Sequence, residues 1–176
     1  MEDEKPWQSP PIPAGEFHTP GKWTNINRAP YDIISGVLYK QAINSKCVEY
    51  QPLDPTPDMP DPWKGSGKTS IRWLFSEMDG TEEHILNGTE FIALLDTKIK
   101  PNASSGHRRH TGEVHILYTI SGQGTLYHRA CSGCPVISRP LRTGDAAVVQ
   151  GTELYSIENH DEHLDFRLLI LKLRIP

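Results

Sequence analysis

Three histidines, His107, His110 and His115, fall within nine residues of the stretch Gly106–Gly124, GHRRHTGEVHILYTISGQG. Neutral imidazole is the commonest protein ligand for metal ions. Held together by a strand and its hairpin, these rings could chelate one ion. Arg108 stands among them. A permanent cation beside a metal repels it unless an anion lies between the two. The planar guanidinium also grips carboxylates through two parallel hydrogen bonds. Arg108 is therefore expected to anchor an acidic substrate or to pair with Glu113. Its alternative is a structural ion pair.

Strands must position these side chains. Short apolar or alternating runs, separated by turn residues, fill the chain from residue 70 onward. This texture belongs to all-β domains. Strands are expected at Ser70–Ser76, Glu90–Ile99, Ser105–His110, Val114–Ser121, Gly124–Ala130, Val136–Pro140, Asp145–Gln150, Leu154–Asn159 and His163–Arg174. Ser121-Gly-Gln-Gly124, Ser132-Gly133 and Leu141–Asp145 read as turns. No long stretch carries a helical period. A sandwich, jelly roll or barrel follows.

Residues 1–70 hold 11 of the 15 prolines. Proline at that density disfavours helices and central strands. This part reads as an arm, 1–70, wrapping a barrel formed by 71–176, with short strands within Asp32–Tyr39 and Lys46–Gln51. Its aromatics Trp7, Phe17, Trp23, Tyr31 and Trp63 need somewhere to pack.

The spacing of the histidine segment resembles that of the cupins, small jelly-roll barrels. Their first motif runs G-x5-H-x-H, three or four residues, then E-x6-G. Here His110, four residues, His115, six residues and Gly122 keep the spacing. His110 falls on the second histidine, His115 on the glutamate, Arg108 on the first histidine and Asn102 on the opening glycine. The second motif runs G-x5-P-x-G-x2-H-x3-N. Gly144, Gln150, Thr152, Tyr155 and Asn159 fall on its marked places, so a tyrosine replaces the last ligand. The resemblance spans roughly residues 90–176. It implies an all-β, cupin-like jelly-roll β-barrel with Arg108, His110, His115 and Tyr155 converging inside.

Strand alternation puts Arg108 and His110 on one face and His107 on the other, with Glu113, His115 and Leu117 sharing a face. Two imidazoles and a phenol could ligate a divalent transition metal: Fe2+ first, with Zn2+, Ni2+ or Mn2+ as alternatives. A bulge after Ser104 could turn His107 inward as a further ligand. Tyr155 could instead be the acid–base group, with Glu113 as its alternative. Without metal, His110 and His115 would be hydrogen-bonded barrel histidines. Either Tyr127 or His128 faces inward, and Tyr127 is taken as the pocket wall. Asn159 is expected to fix a turn.

These residues imply a metal-dependent enzyme acting on a small carboxylate- or carbonyl-bearing molecule, with an iron-dependent dioxygenase placed first. A redox-neutral lyase, dehydratase or cyclase is the alternative, as is a non-catalytic small-ligand-binding barrel. The net charge of −4 is scattered and builds no basic stripe for nucleic acid. No apolar run is long enough to cross a bilayer as a helix. The acidic, Pro-rich start is unlike a signal peptide. Three cysteines cannot all pair, so a cytoplasmic location is expected. Cys131-Ser-Gly-Cys134 lacks a second pair for zinc and reads as a turn able to close on oxidation. A homodimer, with the arm reaching across a partner, is the expected assembly.

Overall fold

The computed structural model describes residues 32–34, 37–39, 47–50, 62–76, 89–108, 112–131, 133–150 and 154–175, with the backbone alone for 32–34, 37–39 and 50. Among them there are only strands and turns, and no helix is long and apolar enough to cross a membrane. In chain order they are β1 (Asp32–Ile34), β2 (Val37–Tyr39), β3 (Cys47–Tyr50), β4 (Thr69–Ser76), β5 (Phe91–Ile99) and β6 (Ala103–Ser104). There follow β7 (Glu113–Ser121), β8 (Gln123–Arg129), β9 (Ile137–Arg142), β10 (Ala146–Gln150), β11 (Leu154–Asn159) and β12 (Phe166–Arg174).

β1 and β2 pair with each other. The remaining strands form two antiparallel sheets, one ordered β10-β7-β12-β5-β4-β3 and the other β6-β11-β8-β9. From β5 onward the chain passes repeatedly between them, as a jelly roll does. Cys47–Tyr50, expected within the arm, is the edge strand of the larger sheet. Residues 1–31 lie outside the described residues.

The core lies between the sheets. Ile71, Ala93, Leu95, Leu117, Val149, Leu168 and Ile170 of the larger sheet meet Leu126, Leu141, Tyr155 and Ile157 of the smaller one. β7 and β12 show the alternation of inner and outer residues that the period of two produces. In β7 the inner residues are Glu113, His115, Leu117 and Thr119, while Val114, Ile116, Tyr118 and Ile120 face out. In β12 the inner ones are Phe166, Leu168, Ile170 and Lys172. The outer face of this sheet is thus more apolar than a solvated face needs to be. Val148 is 65% exposed and Tyr118 47%.

Two details fix the hairpin after the histidine segment. Gly122 has φ +82 in the β7–β8 turn. A β-carbon at Gly124 would stand 2.5 Å from Glu158 O and from the Phe166 ring, so only glycine lets β8 cross there. At the far end of β11, Asn159 is buried. Its Nδ2 donates to the carbonyls of Ile99, Lys100 and Leu164 at 3.0, 3.1 and 2.8 Å, and its Oδ1 accepts from Asp161 N at 3.0 Å. It ties the turn before β12 to the end of β5.

The expected strand Ser105–His110 does not form over its described residues, 105–108. β6 ends at Ser104, and Arg108 makes a single bridge to Tyr155, with N to O distances of 2.8 and 3.1 Å. Gly106, at φ +65, and the bond from Ser105 Oγ to Gly106 O interrupt the ladder between them. Cys131 and Cys134 form a disulfide across the β8–β9 turn, and Cys47 is free.

Candidate functional site

Inside one end of the barrel, two rows of side chains face each other. On the larger sheet the register sets Val149, His115, Lys172, Ala93 and Ser76 side by side across five strands. On the smaller sheet Tyr155 lies between Arg108 and His128. Residues directly opposite in an antiparallel pair share a face. Arg108 and His128 therefore point the same way as Tyr155, into the barrel.

His115 joins the rows. Its Nδ1 lies 2.8 Å from the Tyr155 hydroxyl and its Nε2 2.8 Å from Glu113 Oε2. A carboxylate only accepts, so Nε2 carries the proton and Nδ1 accepts from the phenol. The rings meet edge to face, with centroids 5.8 Å apart. The result is a continuous hydrogen-bonded chain, Tyr155–His115–Glu113. Lys172 Nζ stands 3.9 Å from the same Glu113 oxygen.

Burial sets the charges. The Tyr155 phenol is pushed up to about 12, chiefly by burial, with the Arg108 guanidinium pulling the other way. Burial holds the His115 imidazole below its ordinary value, against the hydrogen bond it donates to Glu113. The His115 hydrogen bond holds Glu113 below the usual carboxylate range. Lys172 falls to about 8, first from burial and then from the nearby cation Arg108, although Glu113 opposes this. The Arg108 guanidinium is itself lowered by burial. At neutral pH the site holds a neutral imidazole, a neutral phenol, one carboxylate and two buried basic side chains.

The donors among the described residues do not by themselves make a divalent-cation site. Among the described residues no three His, Cys, Asp or Glu side chains gather as a ligand group. Both ring nitrogens of His115 are already engaged. Two basic groups share the space, and their field disfavours a dication. It suits an anion.

The structure brings Arg108, Glu113, His115 and Tyr155 together. His110 lies outside the described residues. His107 does not join the site: it takes the opposite face from Arg108, as strand alternation places it, and is exposed, so the bulge that could have turned it inward does not do so. Tyr127 does not line the barrel either. Gly124, Leu126 and His128 occupy the inner parity of β8, and Tyr127 pairs with Ser156 on the outer face. There its hydroxyl lies 3.5 Å from His160 Nε2.

Lys172 carries no expectation from sequence, and His128 is the inward alternative to the expected Tyr127. Lys172 sits within Leu171-Lys-Leu173, but it shares parity with Phe166, Leu168 and Ile170. That parity was its signal. For His128 the signal was the shared parity with Gly124 and Leu126. Asn102 has φ +51, a backbone that glycine adopts freely and asparagine tolerates. This accounts for asparagine at the place of the motif's opening glycine.

No protein-family model matches the chain. The oxalate-binding protein of Thermotoga maritima is 29% identical over 110 residues, covering 62% of this chain and 80% of that one. The crystal structure of a predicted oxalate decarboxylase from Thermotoga maritima superposes with a TM-score of 0.52 at 23% identity, over 66% of this chain and 90% of that one. The cupin domain of Schizosaccharomyces pombe Cnp3 gives 0.47 at 14% identity, over 61% and 65%. The chain thus has a cupin-like jelly-roll fold.

Proposed function

We propose that the barrel binds a small carboxylate- or carbonyl-bearing molecule and moves a proton on it in a redox-neutral reaction of the lyase, dehydratase or cyclase kind. The observation that carries this reading is the buried Tyr155–His115–Glu113 chain beside two basic side chains. Arg108 binds the ligand's carboxylate. As the Tyr155 oxygen takes a proton from the ligand, its own proton passes to His115 Nδ1, and Glu113 holds the resulting imidazolium. This is the logic of a serine–histidine–aspartate relay with a phenol at its head. Negative charge left on the ligand rests against Arg108 and Lys172 in a water-poor interior, where electrostatic stabilisation is strongest. The name of the Thermotoga maritima relative, an oxalate-binding protein, supports an anionic ligand.

That name also favours a second reading, a barrel that binds a small carboxylate without turning it over. The iron-dependent dioxygenase asks for several open donors, and its support rests on His110, beyond the described residues. The experiment is exchange of ligand C–H for deuterium in D2O, followed by NMR across a panel of small 2-oxo and 2-hydroxy acids. The wild type should exchange at least one. Tyr155→Phe should lose at least about a hundredfold, the usual lower contribution of one acid–base group, while still binding in calorimetry. Binding without exchange would leave the binding module. A panel that neither binds nor exchanges would end the proposal. Prior chelation should change nothing. Activity lost on chelation and restored by Fe2+ or Zn2+ would return the site to a metal.

A further inference from the structure

We infer that Lys172 is a covalent site: its amine forms an imine with the carbonyl carbon of a 2-oxo acid whose carboxylate is held by Arg108. This deepens the reading above and rests on it. The argument begins with position. Lys172 is the last inner residue of β12 below a wholly apolar stripe, Phe166, Leu168 and Ile170, and its side chain is only 14% exposed. A lysine there cannot send its amine to the outer surface as long surface lysines do. Its neighbours toward β4 are Ala93 and Ser76, both small and buried. On its other side stands His115, with Glu113 Oε2 at 3.9 Å from Nζ.

Chemistry follows from these surroundings. An amine attacks carbonyls only when unprotonated, and proteins achieve this by desolvation or by a second cation nearby. Here burial does it: Glu113 opposes the shift by more than Arg108 adds to it, and the amine still falls to about 8. Part of it is therefore free at neutral pH. The Nζ lone pair attacks the carbonyl carbon, and the C–O π bond opens to a carbinolamine. Glu113 carries the two nitrogen protons in turn to that oxygen, the first giving the neutral carbinolamine and the second letting the oxygen leave as water. The balance is one amine and one ketone giving one imine and one water, with no change of oxidation state. Arg108 orients the acid so that the ketone lies toward β12.

The test is reductive trapping of the full-length protein with pyruvate and cyanoborohydride, followed by peptide mapping. One reduced adduct should form on Lys172, saturating with pyruvate while the other lysines label slowly and linearly. Lys172→Met should lose it. Lys172→Arg, which keeps a cation and cannot form the imine, controls for folding and should also lose it. Calorimetry with wild type and Arg108→Met separates the two readings. Arg108-dependent pyruvate binding without a Lys172 adduct overturns the imine and leaves the proposed function standing. The absence of both binding and adduct with pyruvate overturns the imine, and the same silence across the whole panel of acids overturns both readings. Label spread evenly over surface lysines overturns the imine.

Discussion

His115 is the residue on which the site turns, because it accepts from one partner and donates to the other. Its depressed pKa has a stability consequence. The unfolded chain takes up a proton at the ordinary histidine value near 6.5, while the folded imidazole resists it. As pH falls below that value the unfolded state binds more protons, so stability is lost. The neighbouring Glu113, held low by the same hydrogen bond, adds stability above the usual carboxylate value that is lost only in more acid solution. His115→Gln can keep both hydrogen bonds without titrating. Urea melts from pH 7 down to pH 5 should show the wild type losing up to about 1.4 kcal/mol per pH unit more than the variant. Parallel slopes would mean that His115 is not held neutral.

How much of this residue-level picture was legible depended on parity. Glu113, His115 and Tyr155 could be placed together because the spacing of two motifs fixed their strands. Lys172 escaped because leucines flank it, and an apolar run hides which of its members points inward. Tyr127 was misplaced for the opposite reason. A large aromatic reads as core, but outer-face residues such as Tyr118 and Ile116 show that hydrophobicity does not report the inner face in this barrel.

Among the elements, β11 works from both ends. Tyr155 heads the proton chain at one end, and at the other Asn159 locks the turn that launches β12. Replacing Asn159 by Ala strips hydrogen bonds from three carbonyls at once. The cost should be about 3 kcal/mol, within the range for partners left unsatisfied. Asn159→Asp keeps the shape but turns a negatively charged acceptor toward those oxygens, and should cost at least as much in the same urea melt. An Asp variant as stable as wild type would show that shape alone fixes the turn. Gly124→Ala tests the crossing of β8 over β12. Its new β-carbon meets a backbone oxygen and a buried ring, so a loss of about 1–3 kcal/mol is expected. An unchanged melting curve would mean that the strands separate easily there. The strand positions were readable from alternation and glycine turns. The break in β6 was not, because it comes from a side chain bonding the backbone locally at Ser105.

At the scale of the whole molecule, the outer face of β10, β7 and β12 calls for a cover. Ile116 sits between Val148 and Leu171, and Tyr118 between Ala146 and Leu169, so the apolar surface is continuous over three strands. β10 is an edge strand of five residues with no lysine or proline to discourage pairing. The homodimer expected from the sequence would bury this face. Sedimentation should show a dimer that Val148→Asp converts to monomer. A wild-type monomer at micromolar concentration would remove the idea.

The inverted polarity of β7 ties that exterior to the chemistry within. Neighbouring residues of one ribbon face opposite sides, His115 the proposed ligand site and Ile116 the face that a second copy would cover. Should docking outside shift affinity inside by some factor, thermodynamic reciprocity obliges a bound acid to strengthen or weaken self-association by that same factor. Dilution would then become a way to unload the barrel.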